Sequence, residues 1–230
     1  MSKNSKNILG NQQGKIGNIV GRVVNGVQIY SAYGGKGHNP RTPKQVAQRT
    51  KFAATLLLSR ILSGPVTLGF HQAAAGVPMT TPRHIFMKRN ISCMNYDAET
   101  GIVTPNYENI VISEGRVPSV MFSAPSFSEA ASVSVTFTPN TDVDAGAYGQ
   151  DSVYVAVYCP MEGQCLMAKA ARSTGSVTLS TPSSWTGKTV FAWGFVRTSV
   201  DSTTFVETYG LTLRPNDCSH SSYLGTGTIS

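Results

Sequence analysis

The first 96 residues contain no aspartate and no glutamate. Thirteen Lys or Arg lie in that stretch, while residues 97–230 hold all twelve acids and six bases, beginning with Asp97. The two parts therefore carry about +13 and −6, which make up the net charge of +7. A segment without acids has no anions of its own to pair its cations. Blocks of one sign mark a surface for an oppositely charged partner, such as nucleic acid, an anionic membrane or an acidic protein. The alternative is that the acidic second part of a neighbouring subunit neutralises the basic first part.

Other scarcities narrow the class further. Only 13% of the residues are charged while 40% are apolar, which excludes disorder throughout and favours a β-rich chain with many turns over a helical bundle. No apolar run approaches the length of a membrane span; AATLLL at 53–58 is six residues and includes a threonine. The amino-terminal MSKNSKNILGNQQGKIGN is polar and lacks the apolar core of a secretory signal, so synthesis and use inside a cell are expected. Four cysteines (Cys93, Cys159, Cys165, Cys218) in such a chain read as reduced thiols. Cys159 and Cys165 flank a turn across which they are placed to approach each other. With no C-x-x-C pair and four scattered histidines, neither a zinc site nor any cofactor is expected.

What is present reads as an α+β, mainly β chain. A basic, flexible N-terminus (1–13) precedes a basic module over 14–96. There IGNIVGRVV and VQIYSAY, joined by Asn25-Gly26, predict a hairpin with a type I′ turn. Thr42-Pro43-x-Gln45 predicts a helix start with Thr42 as N-cap, Pro43 at N1 and Gln45 completing a capping box. From Val46 an apolar stripe continues through Thr50, Ala53, Leu57 and Ile61, widened by Phe52 and Leu56. Gly64-Pro65 predicts its end. PVTLGFHQAAA and a second Thr-Pro start at Thr81-Pro82 predict one or two more helices. Residues 97–216 carry seven short alternating runs: 109–113, 132–138, 152–158, 165–171, 176–180, 189–198 and 208–214. They predict an antiparallel, immunoglobulin-like β-sandwich with Trp193 in its core. The last residues, 217–230, read as a polar tail.

The glycine-lysine stretch GGKGHNP at 34–40 is not a phosphate loop of the G-x-x-x-x-G-K-[ST] type, because Lys36 is followed by Gly37 and a proline lies four residues on. Gly14, Gly17 and Gly21 do not form a dinucleotide fingerprint either. The helix after this connector raises a different issue. Arg41, Lys44 and Arg49 crowd its N-terminal end, where cations cost roughly 0.3–1 kcal/mol each. Phosphate oxygens or carboxylates of another chain would relieve that cost; the bland alternative is that these side chains are merely solvated. Lys36, Arg41, Lys44, Arg49 and Lys51 are accordingly the candidate anion- or partner-binding residues. No G-x-S-x-G elbow, no H-E-x-x-H helix and no local Cys–His signature is present, so no catalytic residue is assigned and an enzyme is not expected. Asp142 and Asp144 sit in a turn, where Asp serves the backbone.

The segment TPKQVAQRTKF resembles a family of uncharacterised proteins abundant in Bacteroidetes and in the phages that infect them. The resembling positions are Gly14, Gly17 and Gly21, then Thr42, Pro43, Gln45, Arg49 and Phe52, then Ser113 and Gly115. The resemblance implies a setting and no chemistry. In that setting the leading expectation is a virion structural protein, a ring or collar of the head-tail machinery assembled in the host cytoplasm. Its partners would be other copies of itself and other virion subunits. A nucleic-acid-binding protein gripping phosphate backbone is the first alternative. A sandwich-type glycan or peptide binder, displaying aromatics such as Tyr148 or Tyr154, is the second.

Overall fold

The computed structural model describes residues 12–24, 26–35, 41–127, 131–206 and 210–230. In chain order its elements are β1 (Gly14–Ile16), β2 (Ile19–Val24), β3 (Val27–Ala32), α1 (Pro43–Ile61), α2 (Ser63–Gly69), α3 (His71–Ala75), α4 (Pro82–Asn90), β4 (Met94–Tyr96) and β5 (Val103–Pro105). Then follow β6 (Met121–Phe122), β7 (Ser132–Thr138), β8 (Ser152–Cys159), β9 (Gln164–Ala171), β10 (Ser176–Ser180), β11 (Thr189–Arg197), β12 (Thr204–Val206), β13 (Leu211–Leu213) and β14 (Ser222–Thr228). The chain is α+β, mainly β, and its strand pairings are antiparallel.

A four-stranded sheet, β14-β11-β8-β9, is the centre of the molecule. Its side chains alternate as a pleated strand requires, and both faces are covered. Val153, Val155, Val157 and Cys159 of β8, with Val190, Ala192 and Val196 of β11, face a three-stranded sheet, β10-β7-β6, whose Val133, Val135, Phe137, Val177 and Leu179 complete a sandwich-like core. Tyr154, Ala156 and Tyr158 of β8, with Trp193 and Phe195 of β11, face the opposite way. There they join Leu58, Leu62, Val66, Phe70, Phe86 and Met87 of the helices. This order of three layers, helices on sheet on sheet, makes β8 and β11 apolar on both sides. The two-sheet part is compatible with the immunoglobulin-like expectation; Trp193 is buried, but on the helix-covered face of the central sheet and not between the two sheets.

Several sequence expectations are corrected. The N-terminal hairpin is a three-stranded meander, because Gly17 (φ +58°) and Asn18 form a two-residue turn that places Ile16 opposite Ile19. Val24 pairs with Val27 around Gly26 as expected; Asn25 lies outside the described residues. Gly64-Pro65 does not end α1. The break falls at Leu62, where the path bends by 87°, and Gly64 and Pro65 open α2. Ile110, Ile112 and Ser113 are buried, but residues 109–113 form no ladder. Asn90 takes the place of a neighbouring strand: its side-chain oxygen accepts from Val111 N at 2.8 Å and its amide donates to Val111 O at 2.8 Å. The expected polar tail is β14, the edge strand beside β11. Its Gly225 and Gly227 weakened the strand pattern, yet the Phe127 ring fills the space a side chain would need at Gly227. Cys159 pairs with Gln164 and Cys165 with Tyr158, so the two thiols point to opposite faces of the sheet. Of the run 208–214, only Leu211–Leu213 is a described strand, and residues 208 and 209 lie outside the described residues.

Candidate assembly surface

Helix α1 carries the sequence-predicted residues. Thr42 is its N-cap with extended backbone (φ −65°, ψ 148°), and Pro43 is at the first helical position, as expected. The capping box is not formed: Thr42 makes no side-chain cap bond, and only its carbonyl engages, accepting from Val46 N at 2.9 Å. The first turn is exposed, so water satisfies its N–H groups at little cost. The box appears instead at the second Thr-Pro start. There Thr81 Oγ1 accepts from His84 N, and His84 Nδ1 accepts from Thr81 N at 3.3 Å. An imidazole thus takes the position where Glu or Gln is usual.

The buried face of α1 is not the stripe read from the sequence. Thr55, Leu58 and Ser59 are buried within the helix and Leu62 at its end, whereas Val46, Phe52, Ala53 and Leu57 are exposed. The inward face was hidden from hydropathy because two of its members are hydroxyl residues. Thr55 donates to Lys51 O at 2.7 Å and Ser59 to Leu56 O at 2.7 Å, so each spends its polarity on its own helix. Leu57, at 59% exposed, points away from the protein.

The five predicted cations do not converge on one pocket. Lys36 lies outside the described residues. Arg41 and Lys44 are exposed at the projecting end of α1; Lys51 is half-buried, seven residues from Lys44 and on the same side. Arg49 is exposed and lies roughly 140° around the helix from Lys44. The positive charge therefore surrounds the first two turns of α1 rather than focusing on a single anion. Arg60, in the last turn, extends it along the exposed apolar side.

The basic module has a second exposed apolar element, the β1-β2-β3 sheet. Neither apolar cluster contains any of its residues. Among the described residues, Ile16, Ile19, Val27, Tyr30 and Tyr33 around it are exposed large apolar side chains. Lys15 lies over the Tyr33 ring at 3.8 Å, and Gln28 donates to Gln12 O at 2.8 Å. Such local contacts hold the register. A three-stranded sheet with its apolar side chains in water is nonetheless marginal by itself.

Two other features bear on chemistry. A cleft of about 290 Å³ is lined by Gln72, Glu114, Arg116, Arg214, Asp217 and His220. Its charges are internally balanced: Glu114 pairs with Arg89, and Asp217 accepts from Cys218 N at 2.9 Å. Burial holds the Asp217 carboxyl above the usual carboxylate range, against the pull of backbone hydrogen bonds and two arginines. The aromatics expected at a glycan or peptide surface are packed: Tyr154 is buried and stacked on Phe195, and Tyr148 is half-buried against the sandwich core. Asp142 serves the backbone as expected, accepting from Asp144 N and Ala145 N. Among the described residues no three His, Cys, Asp or Glu come together as a metal site, and no single helix is long and apolar enough to cross a membrane.

A family model described as a family of unknown function (DUF6266) matches residues 11–208, and the chain belongs to that family. No curated protein and no solved structure matches it.

Proposed function

We propose that this member of the DUF6266 family is a non-enzymatic assembly subunit that docks onto its partners through the basic N-terminal module. The resemblance described above supports a phage virion, in a ring or collar of the head-tail machinery, as the structure it builds. The observation that carries the reading is the β1-β2-β3 sheet. It leaves large apolar side chains exposed and contributes to neither apolar cluster, and helix α1 of the same basic module likewise exposes Val46, Phe52 and Leu57. Apolar surface of this kind is stabilised by a second protein surface. The acid-free charge around it sets the sign of that surface as negative.

The test is the mass of the purified protein by light scattering, with and without nuclease, at moderate and high salt. A nuclease-insensitive oligomer is expected. Replacing Arg41, Lys44 and Arg49 together by Gln should weaken it while leaving the circular dichroism unchanged. A monomer that shifts duplex DNA, with affinity falling by orders of magnitude between low and moderate salt, would overturn the assembly reading in favour of phosphate-backbone binding.

A further inference from the structure

We infer that the outward side of α1 receives the acidic end of the central sheet of a second copy of this chain; the inference rests on the assembly reading and names the surface it uses. The receiving side is the exposed stripe Val46, Ala53 and Leu57, flanked by Arg49 and Arg60. In the second half of the chain, two exposed apolar residues with carboxylates beside them lie on adjoining segments. Val143, 56% exposed, sits between exposed Asp142 and Asp144 in a tight turn. Phe205, 61% exposed on β12, follows exposed Asp201. These segments meet, because Gly146 at the end of the turn packs against Val206 and Leu213 of the β12–β13 hairpin.

The charges match and the placement is directional. The apolar residues of α1 are flanked only by cations, and those of this end by carboxylates. One contact thus buries apolar area at its centre and pairs opposite charges at its rim, as specific interfaces do. The two surfaces lie at opposite ends of the central sheet. Tyr107 packs on Tyr158 and Phe191 at one end, next to the β4–β5 pair against which α1 rests. The acidic turn stands at the other end, where Ser152 pairs with Arg197 and Ala171. Ser152 to Tyr158 spans about 20 Å. A copy does not reach its own acidic end with α1, whereas a neighbour does. Repetition of such a contact between unlike surfaces makes a closed ring or a filament. The β1-β2-β3 sheet of a neighbour is a poorer occupant, since it brings Lys15 and Arg22 and no acid against Arg49 and Arg60.

The experiment uses two charge-reversed full-length proteins, nuclease-treated and sized by light scattering. One carries Asp144→Lys with Asp201→Lys, leaving the turn-capping Asp142 intact; the other carries Arg49→Glu with Arg60→Glu. Each alone is expected to lose self-association by roughly tenfold or more. Mixed in equal amounts, they should associate again as alternating copies, because an intact α1 side meets an intact acidic end at one contact and the two reversed surfaces, of opposite charge, match at the other. Val143→Ser with Phe205→Ser, which touches only exposed side chains, should reproduce the loss without altering charge or fold. If the wild type assembles and all these variants assemble equally well, or if the mixture stays monomeric, the inference is overturned while the assembly reading stands. A wild type that is monomeric at every concentration overturns both.

Discussion

Replacing Asp151 by Ala isolates the most consequential buried charge in the described residues. The Asp151 and Arg172 side chains are fully buried and stand 3.6 Å apart at the Ser152 end of the central sheet. The carboxylate accepts from Tyr148 N at 3.1 Å, Ser199 N at 2.9 Å, Thr198 Oγ1 at 3.2 Å and Ser199 Oγ at 3.3 Å. The guanidinium donates to Asn140 O at 3.1 Å and to Pro118 O. Asp151→Ala therefore strands a buried cation and two backbone N–H groups. Breaking a buried pair from one side costs about 3–5 kcal/mol. For a chain of this size, each kcal/mol moves Tm by roughly 2–4 °C, which gives a fall of about 6–20 °C. The assay is calorimetry at pH 7 with urea unfolding alongside. The comparison is Arg89→Ala, which breaks the solvent-exposed Arg89–Glu114 pair and should leave the midpoint where it was. Adding Arg172→Met to Asp151→Ala should restore part of the loss, because the stranded cation goes while the unpaired N–H groups stay. Equal midpoints for Asp151→Ala and Arg89→Ala would refute the argument from burial.

Two further outcomes follow from buried titratable groups. Asp217 has its carboxyl raised in the folded state, so the folded chain binds the proton more tightly than the unfolded one. The stability this contributes is complete below the unfolded value near 3.9 and is lost as pH rises through the raised folded value. Asp217→Asn keeps an acceptor for Cys218 N and should make urea midpoints less dependent on pH across that window; an unchanged slope would contradict it. Burial pushes the Cys165 and Cys218 thiols up to about 12. At pH 8 about one in ten thousand of each is thiolate. Iodoacetamide labelling followed by peptide mass analysis should find buried Cys218 resistant in the native protein and reactive in urea, and half-buried Cys165 slowed by its small thiolate fraction; rapid native labelling of Cys218 would refute its burial.

Much of the fold was legible because β7 and β10, covered on one face, keep their alternation, while β8, covered on both, keeps a continuous apolar run. SVSVTFT, SVYVAVY and SVTLS all became strands, and both Thr-Pro pairs began helices. What the sequence concealed followed from polar residues satisfied inside the chain. Thr55 and Ser59 bury their hydroxyls against their own helix, which turned the hydropathic stripe of α1 outward. Asn90 stands in for a strand beside 111, and the glycines of β14 leave room for Phe127. The candidate surface was half visible. Charge along the chain located the basic module, whereas its exposed apolar side and its lack of a single anion pocket depend on which way α1 faces. That orientation is decided by packing on the central sheet.

The position of β14 also bears on how the chain is made. Strand β11 is held between β8 and β14, and β14 comes from residues 222–228. During translation the hydrogen-bonding edge of β11 stays open until that segment has left the ribosome. Meanwhile the three helices that cover Trp193 and Phe195 have long been available. Nascent chains are thus shielded on their aromatic face before their strand edge is closed. A stalled or truncated product presents an unpaired β edge, the feature through which chains aggregate and which chaperones must keep apart.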